Sequence, residues 1–176
     1  PTVQGFLERE LENIVSDWDA DSASGIVVDP NTGQIVALAI EPSFNLNTFS
    51  SVDDTSVFGN PIVEGVFEMG SIMKPLTMAA GLDSKAVTAD TTYNDKGFLV
   101  LDGGNAKISN YDLKSRGVVS MQEVLNQSLN TGAAFVVSQM GNKVFADYMR
   151  AYGLGEETGI DLPGELRGFL GNLDSP

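Results

Sequence analysis

A serine and a lysine three residues apart, at the start of an apolar run, constrain this chain more than any other feature of its sequence. In Glu68–Ala80, Ser71 and Lys74 stand at positions i and i+3, which places Ser71 Oγ and Lys74 Nζ on one face of a helix and within reach of each other. Gly70 permits a tight backbone entry and the close approach of another group. Apolar side chains around the pair predict a helix over residues 71–82 that is buried nearly all round: Ile72, Met73, Leu76, Met78, Ala79 and Ala80.

The composition determines which base is available to such a serine. The chain contains no histidine and no cysteine, which excludes a Ser-His-Asp triad, a cysteine nucleophile and a histidine-based zinc site. A serine nucleophile therefore needs another base, and Lys74 is the candidate. A lysine acts as a base at neutral pH only if its pKa is lowered, and both burial and the positive end of a helix lower it.

Helix capping is the structural alternative for Ser71, since serine is a common N-cap residue. Capping accounts for the serine but not for Lys74, because a cation in the first turn opposes the helix dipole. A capping box would also place Glu or Gln three residues after the serine. The pair therefore favours a nucleophile and its base, with capping left open.

The net charge of −14, from 24 acidic and 10 basic residues, argues against nucleic acid or an anionic membrane surface as a partner. No stretch of 18 apolar residues occurs, so we expect no membrane segment within these residues. With 42% apolar residues the chain has ample material for a core. Because it starts at Pro1 and shows no closing element after Asn172, we expect a single domain, or a large part of one, from a longer protein.

Hydrophobic periodicity and turn residues predict a mixture of helices and strands. Apolar density predicts that the first two strands are interior strands of a sheet. We expect a mostly loop segment over residues 41–66 and a small hairpin closed by Asp102–Asn105. The predicted elements are helix 3–18, strands 25–29 and 34–40 around turn 30–33, helix 71–82, strands 97–101 and 106–109, and helices 120–127, 131–140 and 143–152.

Two short patterns look like ligand sites but lack the residues that such sites need. Asp17–Asp21 begins like a calcium loop, without the glycine at the sixth position or the glutamate at the twelfth. Gly153–Gly155 followed by Gly159 has the wrong spacing for a dinucleotide fingerprint, and it follows a helix rather than a strand. We therefore expect no metal and no organic cofactor.

A second constellation, Ser128-Leu129-Asn130, lies at a turn between two predicted helices. Taken alone it is a capping sequence, with Asn130 as N-cap of the helix that starts at Thr131 and Ser128 assisting. Its position 54 residues after Lys74 favours a second interpretation. The hydroxyl of Ser128 would relay a proton, and the amide of Asn130 would orient a substrate carbonyl or amide.

These motifs, with their surroundings, make the chain resemble the transpeptidase domain of class B penicillin-binding proteins, the serine enzymes that cross-link peptidoglycan. The resemblance runs over nearly the whole length and is more specific than either short motif. The segments that carry it are Val28–Ala37, Pro42–Asn47, Glu68–Pro75, Leu125–Thr131 and Gly153–Glu165.

The resemblance implies a role for each of four catalytic residues. Ser71 would attack the penultimate D-Ala carbonyl of a stem peptide, or a β-lactam ring, with Lys74 as its base. Ser128 would pass a proton toward the leaving amine, and Asn130 would hydrogen-bond the bound peptide or Lys74. The backbone N–H of Ser71 would supply half of an oxyanion hole, and an amine of a neighbouring stem peptide would resolve the acyl-enzyme.

The chain departs from the family pattern at two points. Met69 stands where the family usually has proline, which should affect only loop stiffness. The third motif of the family, Lys-(Thr/Ser)-Gly, is absent from the 176 residues. We therefore expect residues 1–176 to be the N-terminal portion of the transpeptidase domain, with an α+β fold of the β-lactamase/D,D-peptidase-like serine hydrolase type, an antiparallel sheet flanked by helices, and no activity on their own.

The function implied by the resemblance is D,D-transpeptidation at the outer face of the bacterial cytoplasmic membrane, in a parent protein anchored by a helix outside these residues. The implied partners are peptidoglycan stem peptides, β-lactams and other cell-wall assembly proteins. Two alternatives stay open: a D-Ala-D-Ala carboxypeptidase or β-lactamase, in which water resolves the acyl-enzyme, and a non-catalytic β-lactam sensor or scaffold.

Overall fold

A computed structural model describes residues 2–101 and 106–173 of the chain. They form an α+β arrangement of helices and antiparallel strand pairs. Two compact units are distinguishable, one made of the residues up to Gly65 with Gly159–Leu166, and the other of Val66–Thr158 with the residues from Arg167 on. The motifs Ser71-x-x-Lys74 and Ser128-x-Asn130 both belong to the second unit.

The first unit contains one long helix and one β-hairpin, as the sequence predicts. The elements are α1 (Thr2–Trp18), β1 (Ala23–Val28) and β2 (Ile35–Glu41), with β1 and β2 antiparallel. Gln4 fastens α1 to β2, because its Nε2 donates to Leu38 O at 2.8 Å and its Oε1 accepts from Leu38 N at 3.0 Å. The Gln4 side chain thus binds the backbone of Leu38 as a neighbouring strand would.

The prediction that β1 and β2 are interior strands is wrong for the described residues. Ala37 and Ala39 are buried, and Gly25, which pairs with Ala39, lies against Leu7 and Leu11 of α1. One face of the hairpin is therefore covered by α1. Large apolar side chains elsewhere on both strands are exposed, namely Ile26, Val27, Val28, Ile35 and Val36. Apolar density alone does not identify what covers a strand.

Residues 41–66, predicted as mostly loop, contain several short helical turns. They are the 3₁₀ turns Leu46–Ser51 and Thr55–Phe58 and the short helix α2 (Pro61–Glu64). Each turn begins after an Asn or Asp whose side chain accepts a backbone N–H two residues on, and these residues are Asn45, Asp54 and Asn60. Short polar side chains thus satisfy backbone donors in a segment without long elements.

The second unit is built from four further strands and four further α-helices in the described residues. Strand β3 pairs with β6 and β4 pairs with β5, both antiparallel. The predicted β4–β5 hairpin is confirmed, and its predicted turn, Asp102–Asn105, lies outside the described residues. The elements are α3 (Met73–Asp83), β3 (Thr92–Asp95), β4 (Phe98–Leu101), β5 (Ala106–Ser109), β6 (Gly117–Ser120), α4 (Met121–Asn126), α5 (Asn130–Met140) and α6 (Asn142–Ala151), with 3₁₀ turns at Gly70–Ile72 and Gly171–Leu173.

A hydrophobic core joins α3, α4 and α5 in this unit. Two glycines allow these helices to approach closely: a Cβ at Gly81 would lie 2.4 Å from Val136 Cγ1, and one at Gly132 would lie 2.4 Å from Val124 Cγ2. The close approach brings the start of α3 and the start of α5, and with them the two motifs, to one place. The buried core residues are Met78, Ala80, Val87, Tyr93, Met121, Val124, Leu129, Val136 and Met140.

This packing gives a prediction about glycine in the core. We expect Gly132→Ala to lower the free energy of unfolding by about 1–3 kcal/mol, because the clash with Val124 outweighs the gain in helix propensity. Gly5→Ala in α1 is the matched control, since a Cβ there has no neighbour within 4 Å and should raise stability by up to about 1 kcal/mol. Urea unfolding of both variants provides the measurement. Equal or higher stability of Gly132→Ala would contradict the close approach.

Candidate active site

Ser71 lies in a 3₁₀ turn, Gly70–Ile72, that leads into α3. The backbone enters this turn at Gly70 with φ of +60°, a left-handed conformation that glycine adopts without steric cost. The expected tight entry is therefore confirmed. No heavy atom of the described residues lies within 4 Å of a Cβ placed at Gly70, so no other part of the described chain makes the expected close approach. The glycine serves backbone conformation, not packing.

Ser71 does not cap α3, so the structural alternative for this residue is wrong. The helix begins at Met73, and its N-cap, Ile72, makes no side-chain capping bond. The expectation of burial nearly all round is also wrong, since Ser71 is exposed, Ile72 is 63% exposed, and Ala79 and Leu82 further along α3 are exposed as well. Burial begins at Thr77 and Met78. The hydroxyl therefore lies on an accessible surface at the start of a helix that is buried on one face.

Lys74 Nζ lies between two serine hydroxyls. It is 3.0 Å from Ser71 Oγ, 2.9 Å from Ser128 Oγ and 2.6 Å from the backbone oxygen of Ser128. The contact between Ser71 and Lys74 that the i, i+3 spacing predicts is present, and the second motif meets the same nitrogen. A charged ammonium donates to all three oxygens, whereas a neutral amine has two hydrogens and one lone pair. In the neutral state one of the two hydroxyls therefore donates to Nζ.

Partial burial lowers the pKa of Lys74 below its ordinary value of 10.5. The cause is desolvation, because a charged ammonium loses more hydration energy than a neutral amine when water is removed. The shift has the direction that a general base requires, since it increases the neutral fraction near pH 7. The oxygen atoms around Nζ then face an amine that accepts protons more readily than a solvated lysine would.

Ser128 holds an unusual backbone conformation, with φ of +52° in a residue that is not glycine. Such a conformation costs on the order of 1–3 kcal/mol and persists only where the surroundings determine it. Backbone hydrogen bonds from Ser128 N to Leu125 O and from Leu129 N to Val124 O close the turn after α4, at 3.1 and 2.9 Å. Leu129 is 1% exposed and anchors the turn in the core. The turn directs both the carbonyl and the hydroxyl of Ser128 to Lys74.

Asn130 begins α5 and does not cap it. The N-cap residue is Leu129, which makes no side-chain capping bond, so the capping interpretation of Ser128 and Asn130 is wrong. Asn130 Nδ2 donates instead to the backbone oxygen of Ser109, the last residue of β5, at 2.8 Å. The family resemblance implies either a bound peptide or Lys74 as the partner of Asn130. Among the described residues, the hydrogen bond found for this amide goes to β5 and not to Lys74.

A buried group of polar side chains beside this turn was missed by the sequence analysis. We call Tyr93, Asp95, Asn110 and Thr131 the Asp95 network, and each of them is at most 8% exposed. No strand that ends at Asp95 was predicted from the sequence, and nothing in the sequence distinguishes this carboxylate from a surface residue. The bonds to Asp95 come from Gly97 N at 2.8 Å, Thr131 Oγ1 at 2.9 Å, Arg116 N at 3.0 Å and Asn110 Nδ2 at 3.0 and 3.1 Å.

Arg116 holds the residue that precedes Ser128. Its Nε donates to Gln127 Oε1 at 2.8 Å, and its two terminal nitrogens bind Asp112 Oδ1 and Oδ2 at 2.7 and 2.8 Å. Gln127 also bonds to Glu123. The bidentate arginine holds the pKa of Asp112 at about 2, against an ordinary value of 3.8, because the hydrogen bonds favour the carboxylate. The ion pair lies within the segment before β6, and the hydrogen bond from Arg116 to Gln127 connects that segment to the end of α4.

The lowered pKa of Asp112 gives a prediction for stability in acid. A carboxyl whose pKa is lower in the folded state contributes stability above its unfolded pKa and loses that contribution as the pH falls through the folded value. We therefore expect Asp112→Asn to be less stable than the unmodified protein at neutral pH, with the difference vanishing between about pH 4 and pH 2. Thermal unfolding across that range measures it.

Asp147→Asn is the matched control for Asp112→Asn. Asp147 pairs with Lys143 on α6, but these side chains are 56% and 87% exposed, and an exposed pair contributes little to stability. A pH-independent difference at Asp112, or an equal effect at Asp147, would contradict the assigned pKa.

No helix in the described part of the chain combines the length and apolar character needed to cross a bilayer.

Known proteins resemble this chain over nearly all of its length. The family described as penicillin binding protein transpeptidase domain matches residues 23–174. The peptidoglycan D,D-transpeptidase MrdA of Acinetobacter baumannii is 33% identical over 94% of this chain, and the stage V sporulation protein D of Bacillus subtilis is 31% identical over 98% of it. The chain spans 26% of the length of each of these relatives.

The fold has clear counterparts among solved structures. The transpeptidase domain of penicillin-binding protein 3 from Burkholderia pseudomallei superposes with a TM-score of 0.82 at 26% identity, covering 99% of this chain and 47% of that one. The predicted α+β fold of the β-lactamase/D,D-peptidase-like serine hydrolase type is thereby confirmed.

Proposed function

The chain belongs to the penicillin-binding protein transpeptidase domain family, and from that premise we propose that its parent protein is a serine peptidoglycan D,D-transpeptidase. The observation that carries the proposal is the lysine amine within hydrogen-bond distance of both serine hydroxyls. A nucleophile and a second hydroxyl, each in contact with a base of lowered pKa, are the parts that acyl transfer requires. The relatives named as D,D-transpeptidases support the same reaction.

In the proposed first step, neutral Lys74 takes the proton of Ser71. The Ser71 oxygen then forms a bond with the penultimate D-Ala carbonyl carbon of a stem peptide. The backbone N–H of Ser71 stabilises the oxygen that becomes negatively charged. With a β-lactam the same attack opens the strained ring, and the product is a covalent penicilloyl ester on Ser71.

In the proposed second step, the peptide C–N bond breaks and the proton on Lys74 reaches the leaving nitrogen through Ser128 Oγ. The 2.9 Å contact between Lys74 Nζ and Ser128 Oγ supports this route. The terminal D-Ala departs as a free amino acid. An amine of a neighbouring stem peptide then attacks the ester, the bond to Ser71 breaks, and a proton returns to Ser71 Oγ.

Asn130 is proposed to bind the substrate peptide. Its bond to Ser109 O uses one of the two amide hydrogens and fixes the plane of the group. The other hydrogen and the carbonyl oxygen serve the backbone of a bound stem peptide. We assign no metal and no organic cofactor to the reaction.

The cellular setting is proposed from the same family membership. The parent protein acts at the outer face of the bacterial cytoplasmic membrane, anchored there by a segment other than residues 1–176. Its substrates are stem peptides, β-lactams bind the same serine, and other cell-wall assembly proteins are partners. Residues 1–176 are the N-terminal portion of the transpeptidase domain and are inactive alone, because the Lys-(Thr/Ser)-Gly motif is not among them.

A covalent adduct with penicillin tests the nucleophile. We expect the full-length protein to gain the mass of one penicillin molecule, with the modified peptide containing Ser71, because the ester formed there is the first product. Ser71→Ala should show no adduct, and Ser56→Ala, at another serine exposed to solvent, should react like the unmodified protein. Intact-mass spectrometry followed by peptide mapping is the measurement.

The outcomes separate the proposal from its alternatives. A well-folded full-length protein that forms no adduct would overturn the enzyme and leave a scaffold. An adduct that hydrolyses within seconds indicates a β-lactamase. A stable adduct without cross-linking of stem peptides indicates a sensor, and release of D-Ala without cross-linking indicates a carboxypeptidase.

The lowered pKa of Lys74 predicts how acylation depends on pH. The rate should rise with pH and level off below the ordinary lysine value of 10.5, because only the neutral amine accepts the proton. Lys74→Arg should lower the acylation rate by about 10²–10⁴-fold, since an arginine stays charged. Stopped-flow acylation with a fluorescent penicillin from pH 6 to about pH 10 provides the profile.

A matched control for this measurement is Lys143→Arg, at an exposed lysine on α6, which should leave the profile unchanged. If Lys74→Arg acylated at the rate of the unmodified protein, Lys74 would not be the base.

A further inference from the structure

The Asp95 network lies directly behind the turn that carries Ser128 and Asn130. We propose that Asp95, Asn110 and Thr131 are positioning residues, which hold Ser128 in place against Lys74 and the Asn130 amide in place against Ser109 during acylation. The proposal rests on the proposed function. It extends the site from the residues that touch the substrate to a buried group that the motifs do not include.

Asp95 is the centre of this group because it joins the ends of separate strands. It is the last residue of β3 and is 1% exposed. Its carboxyl group accepts hydrogen bonds from Asn110, directly after β5, and from the backbone of Arg116, directly before β6. One buried side chain therefore fixes the ends of three strands relative to one another, in surroundings where an unmade hydrogen bond is costly.

Thr131 transmits this arrangement to the start of α5. Its Oγ1 donates to Asp95 Oδ1 at 2.9 Å and lies 3.1 Å from Asn110 Oδ1. Its backbone N–H, one of the donors that the first helical turn leaves without an intrahelical partner, reaches Asn110 Oδ1 at 3.3 Å. The side chain of Asn110 thus takes the part that an N-cap residue would play, and it does so from another element.

The contact with Asn130 follows from the same strand end. Asn130 Nδ2 binds the backbone oxygen of Ser109, the neighbour of Asn110, at 2.8 Å. Displacement of Asn110 would therefore move the acceptor that fixes the Asn130 amide. Both functional side chains of the second motif depend on the network, Asn130 through β5 and Ser128 through the helix start.

Ser128 is three residues before Thr131 and contacts Lys74 through two atoms, its carbonyl oxygen and its hydroxyl. Because these atoms belong to one residue with a left-handed backbone, a rotation of the turn moves both away from the amine together. A displacement near 1 Å at a reacting group lowers rates by about a hundredfold. Loss of the hydrogen bond from the Thr131 hydroxyl to Asp95 should therefore lower the acylation rate.

The test compares variants of Thr131 in the full-length protein by acylation with a fluorescent penicillin, measured well below each unfolding temperature. Thr131→Val keeps the shape and removes the hydroxyl, and we expect acylation to fall by about 10–100-fold. Thr131→Ser restores the hydroxyl and should bring the rate back to within about threefold of the unmodified protein. Thr131→Ala gives the same comparison if the valine variant does not fold.

Met140→Ala is the matched control, because Met140 is a buried core residue at the opposite end of the same helix and has an apolar side chain. It should lower the unfolding temperature but leave acylation within about twofold, as expected of packing alone. The inference is overturned if Thr131→Val acylates as fast as Met140→Ala, or if Thr131→Ser remains as slow as Thr131→Val. Absence of acylation in the unmodified protein would instead overturn the proposed function, so the two failures are distinguishable.

Discussion

The hydrogen bonds of the partly buried Lys74 amine are the interaction on which the site in the second unit depends. Three oxygens surround the amine, and two of them come from a residue 54 positions away in the chain. Burial of a lysine is unfavourable unless its nitrogen is hydrogen-bonded, so α3 and the turn before α5 must meet with little error. The helices achieve this through close contacts at Gly81 and Gly132, where each glycine leaves room for a valine side chain of the neighbouring helix.

Backbone strain and buried polarity occur together around this amine. Ser128 adopts a left-handed conformation that is unfavourable for a residue with a Cβ, and a network of buried hydrogen bonds lies beside it. Natural proteins retain such features where the surrounding structure determines them. In the second unit, the apolar core brings the helices together, and the polar network determines how the turn between them is directed.

Local patterns predicted a large part of this structure because they depend on neighbours in the sequence. The i, i+3 spacing correctly placed Ser71 beside Lys74, and helical periodicity located α1, α5 and α6 to within a few residues. Predictions that required knowledge of the surroundings were the ones that failed. The capping interpretation of Asn130 and the interior position of strands β1 and β2 both depended on which distant segments lie nearby.

The sequence alone excluded histidine and cysteine chemistry, which made a lysine the candidate base for a serine nucleophile, and the i, i+3 spacing placed Ser71 beside Lys74. The motifs were also sufficient to indicate the family. Only the tertiary structure decided that Ser128 meets Lys74, that Asn130 binds the end of β5, and that Asp95 and Asn110 lie buried behind the turn. The physical reason is that these contacts join residues 15 to 54 positions apart, and their geometry depends on core packing that no local pattern contains.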